Sequence, residues 1–279
     1  MPIDSSKGKI KLSGILAIIL LISVSFIALF PFYMMFTMSS FKSEQIFQQL
    51  PIVFSNYLIE NLKTVFKSNF LQSYSNSMIV SIVSMAISTL ISAMVGYGMN
   101  VYHFKGKNVL YKFIMMTMMV PSQIGVIGYM IEMRNFGINN TLLPLIFVWF
   151  ASGFGAYWMI SFIKGALPLE IVESARIDGA NEIRIFRGIV MPCIKPGLLT
   201  LCLLTFLWSW NSYMIPLVFI NKKELYTIPI FIKSLASAYR TDYGAQLCGL
   251  ALATVPLLIL FIIGSKNFIS GLTSGAVKG

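Results

Sequence analysis

The stretch Glu173-Ser174-Ala175-Arg176-Ile177-Asp178-Gly179-Ala180, followed by Ile189-Val190-Met191-Pro192, lies in a long, densely charged segment between two apolar runs of membrane length, Thr141–Ile163 and Gly197–Ile220. Pro168 can open a helix at its first turn, where its missing N–H costs nothing. Glu170 in that turn complements the helix dipole. Leu169, Val172 and Ala175 recur at three-residue steps, with Glu173 on a different face. Gly179 supplies a helix-ending turn, Asn181 is suited to cap a second helix running through Arg187, and Pro192 and Pro196 break the chain before the next apolar run. The spacing therefore predicts an amphipathic helix, a glycine turn and a second short helix. A plain solvated loop would not interleave apolar and charged residues so regularly. Such an element on the surface of a membrane protein points to a docked partner that drives it.

The surrounding composition sets the class. Of 279 residues, 57% are hydrophobic and only 11% charged, too few polar residues to cover a soluble domain of this size. Six apolar runs read as transmembrane helices, Leu12–Thr37, Tyr74–Val101, Phe113–Ile131, Thr141–Ile163, Gly197–Ile220 and Ala245–Gly264, and none holds a charged residue in its interior. The first is too long for a removable signal peptide and is expected to stay as an anchor. The expected organisation is residues 1–73 as an N-terminal segment, first span and outer loop, 74–265 as the transmembrane core carrying the charged loop at about 168–192, and 266–279 as a tail.

Net charge is +11, but its distribution argues against a nucleic-acid partner. Lys7, Lys9 and Lys11 precede the first span; Lys105, Lys107 and Lys112 follow the second; Lys164, Arg176, Arg184, Arg187 and Lys195 follow the fourth; Lys266 and Lys278 follow the last. Alternate loops are poorer in basic residues. This positive-inside pattern places both termini in the cytoplasm, although Lys222, Lys223, Lys233 and Arg240 after the fifth span run against it.

The spans lack an intramembrane carboxylate for a proton relay, and the chain has no G-x-x-x-x-G-K-[ST] loop for ATP. His103 is the only histidine, and Cys193, Cys202 and Cys248 have no metal-ligand spacing, so neither a histidine metal site nor a catalytic triad can be assembled. Uphill transport by this chain would need energy from another subunit.

Two features inside the spans carry alternative readings. Ser77, Ser81, Ser84, Ser88 and Ser92 fall on one helical stripe, continued by Gly96 and Gly98. Small residues let neighbouring helices pack closely; a hydroxylated wall of a translocation path is the other reading. Trp208-Ser209-Trp210-Asn211-Ser212-Tyr213 places an amide among aromatics in the fifth span. That combination suits sugars, whose C–H faces stack on rings while hydroxyls take hydrogen bonds; an interfacial aromatic belt is the simpler account.

The order Glu173-Ser174-Ala175, three residues, Gly179, nine residues, Ile189, one residue, Met191-Pro192 resembles the EAA loop of ABC importer permeases, with Ser174 and Met191 as conservative departures. Asp178-Gly179-Ala180, Phe186, Pro192, Pro196, Trp210-Asn211 and the tail Ser270–Gly279 are similar to the carbohydrate-uptake branch, and that tail is similar to the end of the smaller maltose-transporter permease subunit. The resemblance covers nearly the whole chain. It implies an all-α integral membrane protein of the type I ABC importer permease fold, six transmembrane helices with a cytoplasmic coupling-helix loop, in a bacterial plasma membrane. It further implies a second homologous permease, a cytoplasmic ABC ATPase dimer that holds the ATP and Mg, an extracytoplasmic solute-binding protein and a carbohydrate substrate. The chain itself would bind no cofactor and would not be an enzyme. Glu173, Ser174, Ala175, Asp178, Gly179 and Ala180 would contact the ATPase, Gly275 and Lys278 would reach it from the tail, and Ser77, Ser81, Ser84, Trp210, Asn211 and Tyr213 are the candidates for the path. A permease for another small polar solute, or a membrane scaffold using the same fold, is the competing expectation.

Overall fold

A computed structural model describes residues 12–48, 50–235 and 242–276, and all regular secondary structure among them is helical. In chain order the helices are α1 (Leu12–Met38), α2 (Leu58–Lys67), α3 (Phe70–Val101), α4 (Lys107–Met119), α5 (Ser122–Asn135), α6 (Leu143–Phe147), α7 (Gly153–Ala166), α8 (Leu169–Ile177) and α9 (Glu182–Ile185). A π turn, Phe186–Val190, leads into α10 (Met191–Cys193), followed by α11 (Lys195–Trp210), α12 (Met214–Phe219), α13 (Ile228–Ser234) and α14 (Tyr243–Ala276). The basic residues Lys7, Lys9, Lys11, Arg240 and Lys278 lie outside the described residues.

The apolar runs are less uniform than the sequence predicts. Among the described residues, Gly14–Met38, Phe70–Val101 and Tyr243–Ser265 are each long and apolar enough to cross a bilayer, and the number reaches five, against the six runs of the sequence, if each of two bent helix pairs counts as one span. The run Phe113–Ile131 is not one helix: α4 and α5 meet at 101°. Pro121 causes this break, because it cannot donate a helical N–H and it pushes the preceding Val120 into extended backbone, φ −82°, ψ 121°. The run Thr141–Ile163 divides into α6 and α7, with Ser152 capping α7 through its Oγ, which accepts from the Gly155 N–H at 2.9 Å. The run Gly197–Ile220 ends its first helix at Trp210 and resumes as α12. Apolar length alone records none of these breaks, since interrupted helices inside a membrane protein stay apolar while neighbouring helices satisfy the freed backbone.

The chain divides into two compact units. One joins the residues up to Val65 with Leu235–Leu252, and the other takes Phe66–Ser234 and the chain from Ala253 onward. In the first unit, the buried Asn61 amide donates to the carbonyls of Ser39 at 2.8 Å and Phe41 at 2.9 Å. Asp242 Oδ1 accepts from Ser43 Oγ and from the Ala245 N–H, which caps the start of α14.

In the second unit, α3 packs chiefly against α7 and α11. The contact is possible because small residues face the crossing. A Cβ on Gly96 would lie 2.8 Å from the Met159 carbonyl carbon and one on Gly155 would strike Ser92 Oγ, while between α7 and α11 one on Gly197 would meet the Phe162 ring. Ser77, Ser81, Ser84, Ser88 and Ser92 of α3 are all at most 2% exposed, with Ser92 facing Gly155 of α7 and Ser77 facing Ile228 of α13. Polar bonds cross the α3–α7 seam at few points, as where Asn100 donates to the Ile160 carbonyl at 3.0 Å; between α7 and α11, Trp158 Nε1 donates to the Gly197 carbonyl at 3.0 Å.

Gly96→Val is expected to destabilise the folded chain by about 1–3 kcal/mol through overpacking. Gly98→Ala, where an added Cβ would meet nothing within 4 Å beyond its own helix, is expected to be neutral or mildly stabilising. Thermal midpoints of the two purified variants beside wild type check this.

Candidate functional site

The charged segment forms the predicted helix–turn–helix, with the turn chemistry resolved. Pro168 sits at the N-cap of α8, one position earlier than expected, with extended backbone at φ −64°, ψ 125°. Gly179 has φ +80°; its N–H bonds to the Arg176 carbonyl, and the Ala180 N–H bonds to Ala175, both at 3.0 Å. This is a Schellman motif, which satisfies the last carbonyls of α8 and requires a residue tolerant of positive φ. Asn181 Oδ1 accepts from the Arg184 N–H at 2.9 Å and caps α9. The second helix does not stop at Arg187 but continues through the π turn to Cys193, then meets α11 at 80°. Pro192 explains the π turn: it removes one helical donor, and an extra residue in the preceding turn accommodates the loss.

Two faces of this segment differ sharply. Val172, Ala175, Ile185, Val190 and Ile194 join one continuous apolar core with Ala93 and Tyr97 of α3, Met159 and Ile163 of α7, and Leu198 and Leu201 of α11. The other face is open. Glu173, Ser174, Asp178 and Gly179 are exposed, and Glu173 has no ion-pair partner among the described residues. Ile177 is 87% exposed and Ile183 69%, an unusual placement for two isoleucines among charges. Sequence periodicity assigned no role to either, because their positions are decided by the turn at Gly179.

A second feature was not legible in the sequence. The Glu182 carboxylate gathers three donors: Arg176 Nε at 2.7 Å, Tyr97 Oη at 2.7 Å and Tyr102 Oη at 2.5 Å. Arg176 also lies 5.4 Å over the Tyr102 ring. The Arg176 bond, reinforced by the tyrosine hydroxyls, holds the Glu182 carboxyl down at about 2. Burial, then the bond to this carboxylate, pushes the Tyr102 phenol upward. The tyrosines precede Glu182 by 85 and 80 positions, so no local pattern announces the cluster.

The candidates for the path separate into two groups. Ser77, Ser81 and Ser84 are buried within the chain, and Ser77 Oγ accepts from the Ile228 N–H at the start of α13 at 2.8 Å. Trp210 is likewise buried, its Nε1 donating to the Ala253 carbonyl at 3.2 Å. Asn211 and Tyr213 are exposed at the break between α11 and α12, although the Asn211 amide also donates to the Leu207 carbonyl. The packing reading of the serine stripe is thus the one its burial matches. A different surface stands open: the breaks in three apolar runs meet at a cavity of about 570 Å³ lined by Ser122, Gln123, Tyr129, Trp149, Ser152 and Ser212, among others.

Interrupted apolar helices, together with an exposed helix–turn–helix joined to their core, define the transmembrane subunit of a type I importer. Residues 88–272 match the family of binding-protein-dependent transport system inner membrane components, and the chain belongs to that family. It is 33% identical to the arabinooligosaccharides transport system permease protein AraQ of Halalkalibacterium halodurans, covering 97% of this chain and all of that one. It is 27% identical to the probable starch degradation products transport system permease protein AmyC of Thermoanaerobacterium thermosulfurigenes, over 92% of this chain and 94% of that one. The fold is shared with a chain of a bacterial ABC transporter involved in the import of the acidic polysaccharide alginate, at a TM-score of 0.80 and 21% identity, over 96% of this chain and all of that chain.

Gly179→Ala is expected to cost about 1–2 kcal/mol, the penalty of a side chain in the left-handed region, and to raise hydrogen exchange at residues 169–181. Because the folded pKa of Glu182 lies below its unfolded value, its contribution is complete above about pH 4.5 and is lost as pH falls toward about 2. Exchange in residues 169–193 should be insensitive to this carboxylate between pH 8 and 5, after correction for intrinsic rates, and should rise below pH 4.

Proposed function

We propose that this chain is one permease of an ATP-driven importer for a neutral sugar or oligosaccharide, with both termini in the cytoplasm. A second, homologous permease completes the path, a cytoplasmic ATPase dimer supplies ATP and Mg, and an extracytoplasmic binding protein delivers the solute. The observation that carries the reading is the open face of the 168–193 segment. Glu173 and the exposed Ile177 and Ile183 form a mixed charged and apolar patch suited to a protein cleft, while the opposite face is continuous with the core of three spans. Asp178, Gly179 and Ala180 set the angle between the two helices of that patch, and Ser174 and Ala175 keep α8 narrow.

ATP-driven closure of the partner would pull this segment and rock the attached spans between inward- and outward-facing states. The names of relatives such as AraQ and AmyC favour carbohydrate over other polar solutes. The cavity at the span breaks adds hydroxyls, an amide and aromatic rings without a fixed charge, which suits a neutral polyol better than phosphate. Asn211 and Tyr213 sit at the α11–α12 break that contributes Ser212 to that cavity. Gly275 lies in the last described turn of α14, which continues as a helix to Ala276, and with Lys278 is a further candidate for contact with the ATPase.

The test is stimulation of ATP hydrolysis by external sugar in a reconstituted complex of this chain, its partner permease, the ATPase and the binding protein. Wild type is expected to respond to an oligosaccharide. Gly179→Asp and Glu173→Ala are expected to lose at least about tenfold of that stimulation, on the order of one charge-assisted contact. Normal coupling in both variants would remove the segment from the transmission route.

A further inference from the structure

We propose that Glu182 is a positioning residue that fixes the angle of α8 to α3, so that a pull on α8 moves the span instead of being absorbed in the turn at Gly179; this rests on the coupling role proposed above. The covalent route from α8 to α9 passes through a glycine in the left-handed region with open space around it, which is the weakest joint in the segment. Apolar contacts of Val172 and Ala175 hold α8 against the core, but such contacts are non-directional and allow rotation.

The carboxylate supplies the missing direction. Its Oε1 accepts from Arg176 on α8, while its Oε2 accepts from Tyr97 near the end of α3 and from Tyr102 just beyond it. One planar group therefore joins the two elements on opposite oxygens, and the Arg176 guanidinium over the Tyr102 ring closes the circuit. Stability alone is a poor explanation. The Arg176 and Glu182 side chains are 35% and 45% exposed, and ion pairs this exposed contribute little to folding. What the cluster does fix is geometry, in a segment whose proposed work depends on geometry. Tyr97 continues the link inward, since its ring packs against Phe186 in the π turn and belongs to the same core as Met159 and Ile163 of α7.

The experiment measures sugar imported per ATP hydrolysed in proteoliposomes holding the complete complex, with hydrogen exchange of this chain as a second readout. Glu182→Gln and the double variant Tyr97→Phe/Tyr102→Phe keep side-chain volume and remove the charge or the two donors. Each is expected to lower the import-to-hydrolysis ratio about tenfold and to raise exchange at residues 169–177 by a similar factor, with the interior of α3 protected as in wild type. Arg176→Lys keeps the charge but loses the planar guanidinium over Tyr102, and is expected to lower the ratio too, by less than Glu182→Gln; a ratio equal to wild type would count against a directional role. An unchanged ratio and unchanged exchange in Glu182→Gln would overturn the proposal, as would a loss of protection spreading through α3, which marks general destabilisation. Failure of wild type to import any sugar on ATP would instead overturn the coupling role. The exchange at residues 169–177 would still show whether Glu182 holds α8.

Discussion

The approach of α3 to α7 and α11 is the constraint on which the rest of the larger unit depends. At Gly96 the backbones are so close that a single methyl group would strike the Met159 main chain. The neighbouring serines contribute almost no volume. Within a bilayer, apolar surface gains little by facing other apolar surface, so helices associate through close packing and a few well-placed polar bonds. Several buried hydroxyls of α3, those of Ser81, Ser84 and Ser88, have no hydrogen-bond partner among the described residues. The seam is therefore held by fit, with few bonds fixing its register.

The same packing explains how a surface segment comes to be part of the membrane core. Ile185, Val190 and Ile194 carry the apolar cluster from α8 into the ends of α3, α7 and α11. The π turn and Pro192 redirect the chain without interrupting that cluster, and the 80° bend into α11 follows directly. Glu182 adds a directional contact to an otherwise non-directional weld. The segment thus has an inner face packed into the core and an open outer face.

Breaks in the spans are the second consequence of using packing in place of continuous long helices. Pro121, the Ser152 cap and the Asn211–Tyr213 junction each release the chain from helix geometry inside an apolar run. They meet at one cavity because α5, the α6–α7 junction and α12 are neighbours. Backbone and hydroxyl groups left by an interrupted helix supply polarity at a depth where a charged side chain would be costly.

The sequence by itself determined the membrane class, the all-helical fold and the helix–turn–helix around Gly179. Each of these rests on local rules: apolar length, helical period, and the need for a residue that tolerates positive φ. It also held both readings of the serine stripe without choosing between them. Only the tertiary structure buried Ser77, Ser81 and Ser84, bent the third run at Pro121 through 101°, and brought Tyr97 and Tyr102 to Glu182. The physical reason is range. Periodicity and caps act over three or four residues, whereas burial of a hydroxyl and the meeting of a carboxylate with donors 80 and 85 positions away depend on which helices pack together.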